Sequence, residues 1–173
     1  MYKKILVATD GSALSDLAVA HAVSLSAALK ARLVALTASE PFHLLTTEAD
    51  QIADTEEEYR RLVQVRASRI LDKAAEKAEA AGVEMARVAI EDDHPFEGII
   101  ATAEQQQCDL IVMASHGRRG LSAMVLGSET TKVLTHSSIP VLVVRAEGAP
   151  AENPAAARAA GEARPDIGRL PPI

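Results

Sequence analysis

The sequence predicts a doubly wound α/β domain, a five-stranded parallel sheet of Rossmann-like type, followed by a tail of different composition. Three observations predict it. Five short apolar runs alternate with segments of helical period. Most of these runs are continuous rather than alternating, the pattern of strands covered on both faces. Alternation of such strands with helices builds a parallel sheet with helices on both sides.

The first strand is Ile5 to Ala8, which ends in Asp10-Gly11. Leu14, Ala18, Ala22, Leu25 and Leu29 then recur at helical spacing, and the helix closes around Lys30. Leu33 to Ala38 is the second strand. Residues 39–54 show no period and read as loop. Thr55 and Glu58 form a capping box, Thr55 as N-cap, for a helix whose stripe is Val63, Ala67, Ile70, Leu71, Ala74, Ala78 and Ala81. Gly82 ends that helix, and Val83 to Ile90 is a weaker third strand. Pro95 opens a helix with a stripe of Phe96, Ile99, Ile100 and Ala103. Asp109 to Ala114 is the fourth strand, and Ser128 to His136 the fourth helix. Ile139 to Val144 is the fifth strand, with Pro140 placed near its start or on an edge.

The domain spans residues 1–145. Residues 146–173 hold five of the eight prolines and many alanines without an apolar stripe, so they read as a flexible tail. Composition limits the function. With 2% aromatic residues the core is aliphatic, and stacking platforms for single-stranded nucleic acid are missing. A net charge of −6 disfavours a nucleic-acid partner. The single Cys108 cannot form an internal disulfide, which makes a reducing compartment the default. The amino-terminal apolar run is too short for a signal peptide and no 18-residue apolar segment follows, so the chain reads as soluble and cytoplasmic, with no membrane partner.

In a doubly wound sheet, ligands bind beyond the carboxyl ends of the strands where strand order reverses. Two strand ends carry chemistry here: Asp10-Gly11-Ser12 after the first strand, and "MASHGRRGLSAMVLGSET" (113–130) at the fourth. Gly117 and Gly120 allow close backbone approach and positive φ. Gly127-Ser128 opens a helix whose free N–H groups and positive dipole end suit an anion, and Arg118 and Arg119 add positive charge. A polyphosphate fits this set. The plainer alternative is a Gly/Ser loop in which Ser128 is only an N-cap, and neither standard phosphate-binding fingerprint is present.

These residues carry a resemblance. "KKILVATDGSALSDLA" and "DLIVMASHGRRGLSAMVLGSETTKVLTHSSIPVLVV" are similar to the opening and closing segments of universal stress proteins of the UspA superfamily, ATP-binding branch. The resemblance implies strand order 3-2-1-4-5 and a loop reading Gly-x-x-Gly, nine residues, then Gly-Ser or Gly-Thr. This chain has Ala114-Ser115-His116-Gly117, nine residues, then Gly127-Ser128. The spacing is intact, but Ala114 replaces the first glycine. At an ordinary strand end its methyl costs little; if a phosphate needs the space, affinity falls.

Carried over by the resemblance, Gly117, Gly127 and Ser128 contact phosphate, with Ser115 and Gly120 as second-rank candidates. Asp10 lies near the ribose or a phosphate-bound Mg²⁺, beside a plainer role in capping the first helix. The backbone of Ala38 contacts adenine. The resemblance also implies a homodimer in which the fifth strands, Ile139 to Val144, meet. ATP, with Mg²⁺, is the implied cofactor, in a stress-response protein. The alternatives are a nucleotide-free dimeric interaction module and a slow ATPase on the same fold. Against catalysis, no acid–base pair and no histidine-activated nucleophile stand out by spacing.

Overall fold

The structure, a computed structural model, describes residues 1–42, 49–116 and 126–145; of residues 49–55 it describes the backbone alone. Its elements are β1 (Lys4–Ala8), α1 (Ala13–Leu29), β2 (Arg32–Ser39), α2 (Ala49–Ala80), β3 (Met85–Glu91), α3 (Pro95–Gln105), β4 (Leu110–Ala114), α4 (Ser128–His136) and β5 (Val141–Val144). All four strand pairings are parallel, in the order β3-β2-β1-β4-β5. The order reverses between β1 and β4, where Leu6 pairs with Ile111.

The continuous apolar runs divide between two cores. Ile5, Val7, Leu33, Ala35 and Val112 face α1 and α2, packing against Ala18, Val19, Ala22, Leu71, Ala74 and Ala78. Leu6, Val34, Leu36, Ile111 and Met113 face the other way, onto Ile99, Ala103 and Val133 of α3 and α4. Each Val, Leu, Ile or Met side chain buried this way contributes about 1.5–3 kcal/mol of transfer free energy. This is why β1, β2 and β4 read as unbroken apolar strings.

The edge strands differ. β3 has no fully buried residue, and Leu142 of β5 is 41% exposed. Pro140 lies just before β5, where it needs no ladder N–H; its carbonyl accepts from the Ile111 amide at 2.9 Å.

Helix ends follow the sequence signals with one correction. Gly82 takes φ +67 after α2, and the Val83 amide closes back on the Ala78 carbonyl. Pro95 opens α3 in its first turn. The helix expected to start at the Thr55–Glu58 box starts instead at Ala49, so both residues lie inside α2 and residues 49–54, expected as the end of the 39–54 loop, are helical. Those residues, ADQIAD, contain no Gly or Pro and include strong helix formers. Without an apolar period these residues gave periodicity no signal, and an Arg60–Glu56 pair one turn further on supports the helix surface.

Candidate functional site

At the end of β1 the chain turns sharply, with Gly11 at φ +75, a conformation that favours glycine. Hydrogen bonds fix the turn. The Ser12 amide donates to Asp10 Oδ1 (3.0 Å), and the Gly11 amide donates to Thr9 Oγ1 (3.2 Å). The Ser15 amide donates to Ser12 Oγ (3.2 Å), which makes Ser12 the N-cap of α1, and the Ser15 hydroxyl donates to the Ser12 carbonyl (3.0 Å). Buried Thr9 and Ser15 share a further hydroxyl contact at 3.0 Å. Asp10 therefore braces the turn through its Oδ1. Thr9 and Ser15 went unnoticed in the sequence; a Ser-x-x-Ser at a helix start was the available signal.

At the end of β4 the chain leaves and returns to one point. The Ser115 amide donates to the Val144 carbonyl (2.8 Å), and the Gly127 amide donates to the Ser115 carbonyl (2.7 Å). The Thr130 hydroxyl, buried in α4, donates to the Ala114 carbonyl (2.9 Å). These two bonds clamp the start of α4 onto the tip of β4. Thr130 is the third residue that sequence reading missed, and a threonine in a helix first turn gives no hint of a partner sixteen residues away.

The clamp decides what Gly127 is for. It sits at φ −60, ψ 149, a conformation open to any residue. A Cβ added there would meet His116 Cα at 3.1 Å and the Ser115 carbonyl oxygen at 3.4 Å. Close approach of two backbones, rather than positive φ, is what glycine supplies. Gly127 is also the cap residue of α4 and brings no side chain to its first amides. Ser128 is thus the first residue of the helix, exposed, and the plainer reading of it as N-cap is corrected.

Ala114 is the last residue of β4, paired with Val144, and its side chain lies in the core on the α1 side. The position is an ordinary strand end. Ser115 is buried, with its hydroxyl 3.2 Å from His116 Nδ1. Ala38 lies near the end of β2, half-buried and paired with Ile90. Asp10, Ala38, Ala114, Ser115, Gly127 and Ser128 therefore gather along the carboxyl edge of adjacent strands β2, β1 and β4. Gly117 and Gly120, with Arg118 and Arg119, lie outside the described residues, as does the tail of residues 146–173.

The second turn of this edge is held as well. Glu129 accepts the Phe96 amide at 3.0 Å and pairs with Lys132 at 2.9 Å, tying α4 to the start of α3. Cys108 is buried, and that burial pushes its thiol above the ordinary range, so it is a neutral core group. Among the described residues no cluster of three metal-ligating side chains occurs, and no helix is long and apolar enough to cross a membrane.

Taken together, these features define a small doubly wound α/β domain whose switch point, the edge at which such sheets receive ligands, lies between an acidic turn and a helix start with a glycine cap. The chain belongs to the universal stress protein family, whose model matches residues 1–145. It is 36% identical over 149 residues to universal stress protein YxiE of Bacillus subtilis, covering 84% of this chain and 100% of that one. It is 31% identical over 157 residues to universal stress protein MJ0577 of Methanocaldococcus jannaschii, covering 84% and 96%. The solved structure of MJ0577 superposes with a TM-score of 0.71 over 85% of this chain and 98% of that one. A universal stress protein crystallised in complex with cAMP superposes with a TM-score of 0.61 at 27% identity, over 83% and 97%.

Proposed function

We propose that this chain binds ATP, with Mg²⁺, in the crevice between the β1 and β4 ends, and that it acts in stress response as a homodimer joined through β5. The observation that carries the reading is Gly127. It is held so close to Ser115 and His116 that an added Cβ would meet His116 Cα at 3.1 Å, and as the cap residue of α4 it brings no side chain to the first amides of the helix. That is the geometry by which a helix start receives phosphate. The spacing from Ala114 to Gly127-Ser128 supports it, and so does the nucleotide in the cAMP complex of a family member.

The residues present fit the ligand. Ser128 offers an exposed hydroxyl at the helix start, and Asp10 places a carboxylate just beyond the end of β1, where its Oδ1 accepts from the Ser12 amide. Mg²⁺ is commonly held by one or two carboxylates plus substrate phosphates, so Asp10 alone suffices on the protein side. The dimer rests on β5, an apolar edge strand whose Leu142 is 41% exposed.

Denaturing the purified protein and identifying released small molecules by mass spectrometry, followed by calorimetric ATP titration, tests the binding. Bound adenine nucleotide or saturable ATP binding is expected. Neither, at saturating Mg²⁺, would assign the chain to the nucleotide-free alternative. Nucleoside diphosphate accumulating with time would move it to the slow ATPase.

A further inference from the structure

The longest helix carries an apolar patch on the side turned away from the sheet. Leu71, Ala74 and Ala78 hold α2 against the core. On the opposite face Leu62 is 60% and Val65 50% exposed, among the largest exposed apolar side chains of the described residues. Glu58 and Arg69 flank them. At 3.6 residues per turn, Glu58, Leu62, Val65 and Arg69 fall within about 60° of arc, forming one straight stripe.

The charges on this stripe are placed symmetrically about its apolar pair. Among the described residues some charges of α2 are paired, Arg60 with Glu56, Asp72 with Arg87, and Lys73 with Asp16, and others, Glu57, Arg61, Arg66, Glu76 and Glu79 included, are not. Among the described residues, the side chains of Glu58 and Arg69 have no ion-pair partner. Their positions share a midpoint with the apolar pair: 58 and 69, like 62 and 65, are centred between Val63 and Gln64. A two-fold axis through that midpoint places Leu62 against a partner's Val65. The same operation places Glu58 against a partner's Arg69, twice. Self-complementarity about one axis is what an isologous contact requires.

We propose that this face of α2 binds a second copy of this chain, antiparallel, with Leu62 and Val65 at the centre and two Glu58–Arg69 pairs around them. The contact lies at the β3 side of the sheet, since α2 packs on β2 and β3, and β5 is the opposite edge. It is therefore separate from the β5 contact and joins whatever unit that contact leaves. The paired stripe runs about 18 Å along each helix, short for a standard interface, so the association depends on concentration.

The test is sedimentation equilibrium of the full chain over a concentration series, with circular dichroism to verify folding. Wild type is expected to double in mass as concentration rises. Glu58→Arg and Arg69→Glu each place like charges across the axis, and each alone should lose that rise. An equimolar mixture restores both opposite-charge pairs in a heterotypic contact and should recover it, which no effect on folding could do. Wild type with no rise, single variants that rise like wild type, or a mixture that stays at the mass of its parts would each overturn the proposal. A mass that responds to truncation after Arg145 and not to charge reversal would assign the face to the chain's own carboxyl-terminal residues, also overturning it. Leu142→Asp, aimed at β5, should halve the starting mass and leave the mixture effect in place, so the two contacts fail separately.

Discussion

Gly127→Asp separates a glycine kept for a ligand from one kept for the fold, and the structure supplies the terms. The backbone at Gly127 is in an ordinary extended conformation, so no left-handed strain arises. The cost to the fold is steric: the new Cβ lies 3.1 Å from His116 Cα, and the Gly127–Ser115 bond of 2.7 Å resists the shift that would relieve it. Overpacking of this kind costs about 1–3 kcal/mol. Aspartate is a better helix cap than glycine by a few tenths of a kcal/mol, a small offset. For a chain of this size the melting temperature should fall by roughly 2–10 °C.

The effect on ATP is larger. A carboxylate about 4 Å from a phosphate oxygen at an effective dielectric of 20 repels it by about 4 kcal/mol. Solvent screening lowers this to about 2–4 kcal/mol, a roughly 30- to 1,000-fold loss of affinity. Gly127→Ala carries the same clash without the charge, so the difference between the two variants isolates the electrostatic part. Calorimetric ATP titration alongside thermal melting reads both quantities. If Asp and Ala at 127 weaken ATP equally, or if Gly127→Asp binds ATP like wild type, the phosphates do not lie at the α4 start and the site assignment fails.

Further perturbations test the neighbouring groups. Ala114→Gly removes a core methyl and adds backbone freedom, so it should destabilise by about 1–2 kcal/mol and leave ATP affinity nearly unchanged; tighter binding would show that the methyl obstructs phosphate. Asp10→Asn keeps an oxygen to accept from the Ser12 amide, so melting should barely move, while the gain in ATP affinity on adding Mg²⁺ disappears; an undiminished Mg²⁺ effect would remove Asp10 from the metal. Truncation after Arg145 should leave the β5 dimer at two chains by light scattering, and a monomer would place that interface in the carboxyl-terminal residues.

How far the sequence could be read depended on what each stretch faces. β1, β2 and β4 are covered on both sides, so their apolar strings were unambiguous, and their ends located both halves of the candidate site. β3 and β5 are edges and alternate more, which made β3 the weakest strand to place. Residues 49–54 carry no apolar period, so periodicity gives no signal for the first turns of α2. The capping box at Thr55–Glu58 was a local pattern with no end to cap. At the site, glycine spacing pointed to the β4–α4 loop, but spacing cannot tell a left-handed glycine from one excluded by close approach. Nor could it reveal Thr130, whose partner is the Ala114 carbonyl on another element.

The two sides of the switch point share a topology but differ in how their helix starts are satisfied. α1 is closed by its own chain: Ser12 caps it, and Thr9 and Ser15 lock the turn beneath with three further bonds. Asp16 in its first turn adds negative charge where the dipole is positive. α4 is closed from below, through Thr130 and the Gly127 amide, while its cap residue has no side chain. A phosphate chain arriving at this edge thus meets one helix start already occupied by its own serine and one whose cap residue brings no side chain, beside an exposed hydroxyl. The acidic turn would oppose a bare polyanion and favour one carrying a cation. That asymmetry gives the proposed ligand a direction, with phosphates toward α4 and the metal toward Asp10, and the base is left the β2 end beside Ala38.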